Sequence, residues 1–170
     1  NQEFKVGAAT NCIKMARFLA KNYAKGLEFF SGIPGSIGGA IKMNAGAYGF
    51  ETSDYLIKIK ILNRKNGEIK EVLSKDYLMN YRHTNFPEEY IFLEGTFKYL
   101  KSKNTKDSLD KIKNLTEERQ LTQPIQEKTS GSTFKNPENF KAWKLIQDSG
   151  CKNYQLGRAQ LSKIHSNFII

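Results

Sequence analysis

This chain is poor in the residue types that most often announce chemistry by themselves. Its 170 residues hold two cysteines, Cys12 and Cys151. They are too few and too far apart for a disulfide framework or a thiolate metal site, so free thiols in a reducing compartment, the cytoplasm, are expected. The only histidines, His83 and His165, have no Cys or carboxylate at ligand spacing. No metal site is expected, and neither histidine is assigned a function. No apolar run approaches the roughly 18 residues that cross a bilayer, and the opening Asn1-Gln2-Glu3-Phe4-Lys5 lacks the charged-then-apolar plan of a signal peptide. No membrane partner is expected. Arginine is scarce, at positions 17, 64, 82, 119 and 158, although the formal net charge is +10. Arg reads bases and phosphates bidentately, whereas this charge is mostly lysine spread along the chain. The pattern therefore argues against a nucleic-acid partner, though the positive field would still steer an anionic diphosphate substrate.

What the chain does have is a concentration of small residues. Gly32-Ile33-Pro34-Gly35-Ser36-Ile37-Gly38-Gly39-Ala40, followed by Asn44-Ala45-Gly46-Ala47-Tyr48-Gly49, packs six glycines and three alanines into one stretch. Without Cβ atoms the backbone can approach a ligand closely, turn through positive φ and present successive N–H groups to a phosphate. Tight turns packed against a helix explain the glycines equally well. The spacing is neither the Walker pattern, which needs a Lys after its last Gly, nor the G-x-G-x-x-G of a Rossmann turn.

Along the chain, Gln2 to Ala8 reads as a strand. Thr10 or Asn11 can cap a helix over Cys12 to Ala24, with Ile13, Ala16, Leu19 or Ala20, and Tyr23 on its inner face and Gly26 as its stop. Tyr55, Ile57, Ile59 and Ile61 alternate with lysines, and Asn66-Gly67 offers a tight turn before Ile69 to Leu73, giving a β-hairpin. Ile91, Leu93 and Phe97 mark another strand. After a polar break at Lys101 to Asn104, Leu109, Ile112 and Leu115 line one face of a helix. Pro124 ends that region, and a domain boundary is expected near residue 122. Asn136-Pro137-Glu138 reads as a helix start, with Phe140, Trp143 and Ile146 buried behind it and Gly150 as its stop. Ser132 would then sit at the mouth of that helix.

Together with Tyr81-Arg82 and Gly131-Ser132-Thr133-Phe134-Lys135-Asn136-Pro137, the glycine-rich segment resembles the UDP-N-acetylenolpyruvoylglucosamine reductases, flavoenzymes that make UDP-N-acetylmuramate for bacterial peptidoglycan. The likeness runs from Val6-Gly7-Ala8 to His165-Ser166-Asn167-Phe168-Ile169-Ile170 and suits the shorter type of the family, which lacks an inserted Tyr-bearing loop. The resemblance implies an α+β fold. Residues 1–122 would be the C-terminal part of an FAD-binding domain with a mixed sheet flanked by helices, and 123–170 the beginning of a substrate-binding domain. Family members also carry an earlier Gly/Ser/Asn-rich FAD loop and a later catalytic Glu, so the chain corresponds to the middle of the enzyme. By itself it is expected to hold FAD weakly and not to turn over.

The family's reaction moves a hydride from NADPH to the flavin and on to C3 of the enolpyruvyl ether of UDP-N-acetylglucosamine, while C2 takes a proton. The resemblance makes Ser132 the proton donor and Arg82 the cation that grips the substrate carboxylate. Serine is a poor acid and needs neighbours, such as a Lys and helix N–H groups, that stabilise its alkoxide. Guanidinium suits a carboxylate because its planar fork binds in two places and keeps its proton. Taken without the family, Ser132 would be an ordinary capping Ser and Arg82 a surface ion-pairing Arg. The family often has Ser two residues after this Arg; Thr84 stands there and keeps a hydroxyl. Ile33, Pro34, Gly35, Ser36, Ile37, Gly38, Gly39, Asn44, Gly46 and Tyr48 are implied to seat FAD, chiefly through backbone N–H groups. Tyr81, Lys135, Asn136, Arg119 and Gln123 are implied to bind substrate. Trp143 is expected in the core, and a monomer is expected. Two rivals remain: another FAD-dependent oxidoreductase of the same fold, and a basic non-enzymatic binding protein.

Overall fold

A computed structural model describes residues 2–170 and divides the chain into two compact units, 1–115 and 116–170. The first is built on an antiparallel sheet of strands β1 (Gln2–Gly7), β2 (Ala24–Lys25), β5 (Leu56–Asn63), β6 (Ile69–Leu73) and β9 (Tyr90–Lys101), in the order β1-β9-β5-β6 with β2 also on β9. Short pairs β3 (Gly46–Ala47) with β4 (Phe50–Glu51), and β7 (Met79–Asn80) with β8 (His83–Thr84), lie outside it. Every pairing in this sheet is antiparallel, where a mixed sheet was expected. The α+β class stands.

Local sequence explains the hairpin of β5 and β6. Gly67 takes a left-handed φ of 74°, and Ile59 and Ile61 of β5 are buried as the alternation of a one-sided sheet requires, while Leu56 is buried across a register shift between Leu56 and Lys58. Helix α1 (Cys12–Lys21) starts where Asn11 Oδ1 accepts a hydrogen bond from Lys14 N at 3.0 Å, one of the orphan donors of a first turn. It buries Cys12, Met15, Ala16, Leu19 and Ala20. The expected extension to Ala24 fails. The chain leaves the helix at Asn22, and Tyr23 takes a φ of 59°. That turn swings Tyr23 out to solvent, so it does not join the inner face.

Phe29 and Phe30 lie in a wholly buried 3₁₀ turn, Glu28–Gly32, with Phe30 edge-on to Phe97 of β9 at 5.6 Å. Glu28 is 4% exposed, and a buried carboxylate needs partners. It has them: Ser108 Oγ donates to Oε1 at 2.7 Å, Gly26 N donates to Oε2 at 2.9 Å, and Lys111 Nζ lies 3.6 Å away. These contacts fasten the first turns of α3 (Lys106–Thr122), where Ile112 is buried as its spacing predicts. Helix α3 begins in the first unit and ends in the second.

The second unit holds α4 (Ala142–Asp148) and the paired strands β10 (Gln155–Leu156) and β11 (Ala159–Gln160). Helix α4 does not begin at Asn136. The chain takes a φ of 62° at Asn139, outside the helical region, and the helix starts only at Ala142. Phe140 is consequently 60% exposed and Trp143 38% exposed, neither buried as expected, and Ala142 is the buried residue of α4.

Candidate active site

Serine 36 turns the glycine-rich segment into a helix. Its Oγ accepts from Gly39 N at 3.2 Å, and α2 (Ile37–Lys42) follows despite two glycines that each cost a helix about 1 kcal/mol. Packing overrides propensity here: Ile37, Ala40 and Ile41 are buried. The segment's amides are already spent within the protein. Gly35 N donates to Ile33 O, Ile37 N to Thr10 O, Gly38 N to Ala8 O, and Ala40 N to Ser36 O. The expectation of successive N–H groups held out to a phosphate is therefore corrected. Ile33 and Ile37 place their side chains in the core.

The glycines play two parts. A Cβ on Gly32 would stand 2.5 Å from Cε2 of Tyr48, whose hydroxyl donates to Leu115 O at 2.8 Å, so Gly32 is bare to admit that ring. Gly35 is exposed, with nothing within 4 Å of where its Cβ would be. Within residues 32–40, Pro34, Gly35 and Gly39 are the exposed positions. One polar atom nearby in sequence lacks a partner: the Ser31 hydroxyl, in a residue 8% exposed, makes no hydrogen bond. A buried hydroxyl without a partner costs about 1–3 kcal/mol. A segment with a bare exposed surface and an unsatisfied buried hydroxyl fits a polar cofactor.

Arg82 stands at the tip of the hairpin β7–β8 with a φ of 52°, a region that a residue with a Cβ enters at a cost of roughly 1–2 kcal/mol. The hairpin is pinned to the end of the glycine-rich segment. Thr84 Oγ1 donates to Lys42 O at 2.7 Å, and Asn44 Nδ2 donates to Glu51 Oε2 at 2.8 Å and to Asn80 O at 3.4 Å. Asn44 is 2% exposed and its Oδ1 also accepts from Ser53 N. Its side chain is thus a strut between segment and hairpin. Tyr81 is half exposed, its ring centroid 5.9 Å from the Arg82 guanidinium carbon.

In the second unit, Ser132 forms an antiparallel bridge with Phe168. It is not at a helix mouth, since α4 begins ten positions later. Asn136 Oδ1 accepts from Ala142 N at 3.0 Å, which ties its loop to the first residue of α4, but the N-cap position is Lys141 and not Asn136 as expected. Lys135 is exposed. Arg119 Nε donates to Gln123 Oε1 at 2.8 Å, which brings those two residues together one helical turn apart. Burial holds the His165 imidazole below its ordinary pKa. Sequence reasoning passed over Ser31 and Asn167, whose importance lies in long-range packing that no local pattern signals.

Two family models match the chain: one described as "FAD binding domain" over residues 1–73, and one described as "UDP-N-acetylenolpyruvoylglucosamine reductase, C-terminal domain" over residues 123–170. The first match makes residues 1–73 similar to FAD-binding domains. UDP-N-acetylenolpyruvoylglucosamine reductases from Methylorubrum extorquens and Parvibaculum lavamentivorans are 41% and 42% identical to it, over 99% and 98% of this chain and 54% and 53% of theirs. The crystal structure of the reductase from Thermus caldophilus superposes with a TM-score of 0.89 at 30% identity, covering 98% of this chain and 61% of that one. The chain belongs to the UDP-N-acetylenolpyruvoylglucosamine reductase family, and it spans about half the length of the curated relatives it matches.

Proposed function

We propose that these residues serve the NADPH-dependent, FAD-mediated reduction of UDP-N-acetylglucosamine enolpyruvate to UDP-N-acetylmuramate. FAD, when bound, would supply to C3 of the enolpyruvyl ether a hydride taken from NADPH. Pro34, Gly35 and Gly39 would lie against it, and the Ser31 hydroxyl would gain its partner there. Negative charge then builds at C2 and on the adjoining carboxylate. Arg82 holds that carboxylate in its guanidinium fork and favours the enolate form. Ser132 hands its proton to C2, and Lys135 is the nearby cation in sequence that can balance the charge left on its oxygen. Tyr81, Asn136, Arg119 and Gln123 complete the substrate contacts.

The observation that carries this reading is Arg82 itself, a bulky cation kept at a left-handed hairpin tip and braced by Asn44 and Thr84. Such backbone strain persists where function demands the side chain. Arg82→Lys tests it in the complete polypeptide that carries these residues. Charge is retained but the planar fork is lost, so kcat should fall about 10²-fold or more, the size of losing one preorganised donor to a developing oxyanion. An unchanged kcat would show that Arg82 has no such role.

A further inference from the structure

We infer that Asn167 is a positioning residue for the Ser132 proton donor, an inference that rests on the role proposed for Ser132 above. Ser132 lies in an irregular stretch of chain. It follows Gly131, which takes a φ of 91°, and Thr133, Phe134 and Lys135 are all exposed outside any helix. Contacts from far along the chain hold the segment. Thr133 N donates to Asn167 O at 2.8 Å and Phe134 N donates to Asn167 Oδ1 at 2.9 Å. Asn167 Nδ2 in turn donates to Phe134 O at 2.9 Å. A single asparagine therefore grips Phe134 by both main-chain polar groups, as a neighbouring strand would, two residues after Ser132.

The grip is itself fixed. Asn167 is 3% exposed, and its own N–H donates to His165 Nδ1 at 3.3 Å, so each polar group of the residue has a partner. Phe168, the residue bridged to Ser132, is also 3% exposed and packs edge-on against His165 with ring centroids 4.8 Å apart. Asparagine suits this place because its amide offers one donor and one acceptor side by side. An apolar side chain would strand two main-chain groups, and Asp would lack the donor. Proton delivery to C2 depends on where the Ser132 oxygen stands, and an error of about 1 Å in such placement can cost about 10²-fold in rate.

The test measures the two half-reactions by stopped flow in the complete polypeptide, comparing Asn167→Ala and Asn167→Asp with the parent and with Ser132→Ala. Flavin reduction by NADPH should stay within about twofold. Reoxidation by UDP-N-acetylglucosamine enolpyruvate should slow about 10–100-fold, as misplacement implies. The decisive comparison adds Asn167→Ala to Ser132→Ala: a residue that acts through Ser132 costs no more than about twofold further there, since groups acting as a unit are not additive. Equal slowing in both backgrounds, or slowing of both half-reactions alike, means that Asn167 merely supports the fold and overturns the inference. Full-rate reoxidation in Ser132→Ala instead removes the role of Ser132 itself. Should the Asn167 variants not fold, amide exchange in the parent decides: Thr133 and Phe134 N–H should exchange slowly, and fast exchange at both refutes the clamp.

Discussion

Two glycines of one segment should respond in opposite ways to the same added methyl group. At Gly32 a Cβ would meet Tyr48 Cε2 at 2.5 Å and Ala47 Cβ at 3.1 Å, and the ring cannot step aside freely because its hydroxyl is bonded to Leu115 O. Overpacking costs about 1–3 kcal/mol, and the lost hydrogen bond about 0.5–1.5 kcal/mol. Stiffening the unfolded chain returns about 0.4–1 kcal/mol. Gly32→Ala should therefore lower stability by about 2 kcal/mol, a shift of about 1 M in the urea midpoint at a typical slope. At Gly35 a Cβ meets nothing within 4 Å, so only the unfolded-state gain of about 0.4–1 kcal/mol remains and the midpoint should rise. Because Gly35 lies on the surface proposed for FAD, the same methyl should weaken FAD binding at least about tenfold, the effect of about 1.4 kcal/mol of overpacking. Fluorescence titration of FAD beside urea unfolding measures both effects. Wild-type FAD affinity in Gly35→Ala would refute the cofactor surface, and an unshifted midpoint in Gly32→Ala would refute the packing role of Gly32.

The strain at Arg82 should be visible without any substrate. Gly and Ala at this position both lose the side chain, but only Ala keeps a Cβ in the left-handed region, at about 1–2 kcal/mol, against about 0.5–1 kcal/mol of extra chain entropy for Gly. Arg82→Gly should thus be more stable than Arg82→Ala by about 0.5–1 kcal/mol in urea; the reverse order would mean that the turn is not strained. Stability should also fall at both ends of the pH scale. Burial pushes the Cys12 thiol up to about 12, so the unfolded chain releases its proton first, and stability present below pH 9 is lost as pH rises toward 12. Burial lowers the His165 pKa, so the unfolded chain takes up a proton first, and stability present above pH 6.5 declines as pH falls below it. Thermal melts of Cys12→Ala and His165→Gln should flatten the alkaline and the acid limb respectively, and slopes unchanged from the parent would contradict these assignments.

What was legible in the sequence was local. Asn66-Gly67 specified its hairpin because the turn demands positive φ, Thr10 and Asn11 both offered an acceptor for the orphan N–H groups of α1 and Asn11 is the one used, and Ile112 declared its face by spacing. Features set by distant packing were not legible. Ile37-Gly38-Gly39-Ala40 has poor helix propensity and became α2 because its isoleucines are buried. Asn136-Pro137-Glu138 carried the right residues for a helix start, yet the turn at Asn139 moved that start to Ala142, which exposed Phe140 and left Ser132 ten positions ahead of the helix. The glycines were legible as sites of close approach, but not which approached Tyr48 and which faced outward. Arg82 and Ser132 are proposed from resemblance; the contacts of Asn44 and Thr84 beside Arg82, and of Asn167 with Thr133 and Phe134, emerge only from the folded structure.

The most direct test of the account is the pair of half-reactions in Ser132→Ala, followed by stopped-flow absorbance of the flavin without oxygen. Flavin reduction by NADPH should proceed at the parent rate, while reoxidation by UDP-N-acetylglucosamine enolpyruvate slows about 10³-fold, the middle of what a lost general acid costs. Reoxidation at the parent rate would contradict the central claim that this chain's serine delivers the proton.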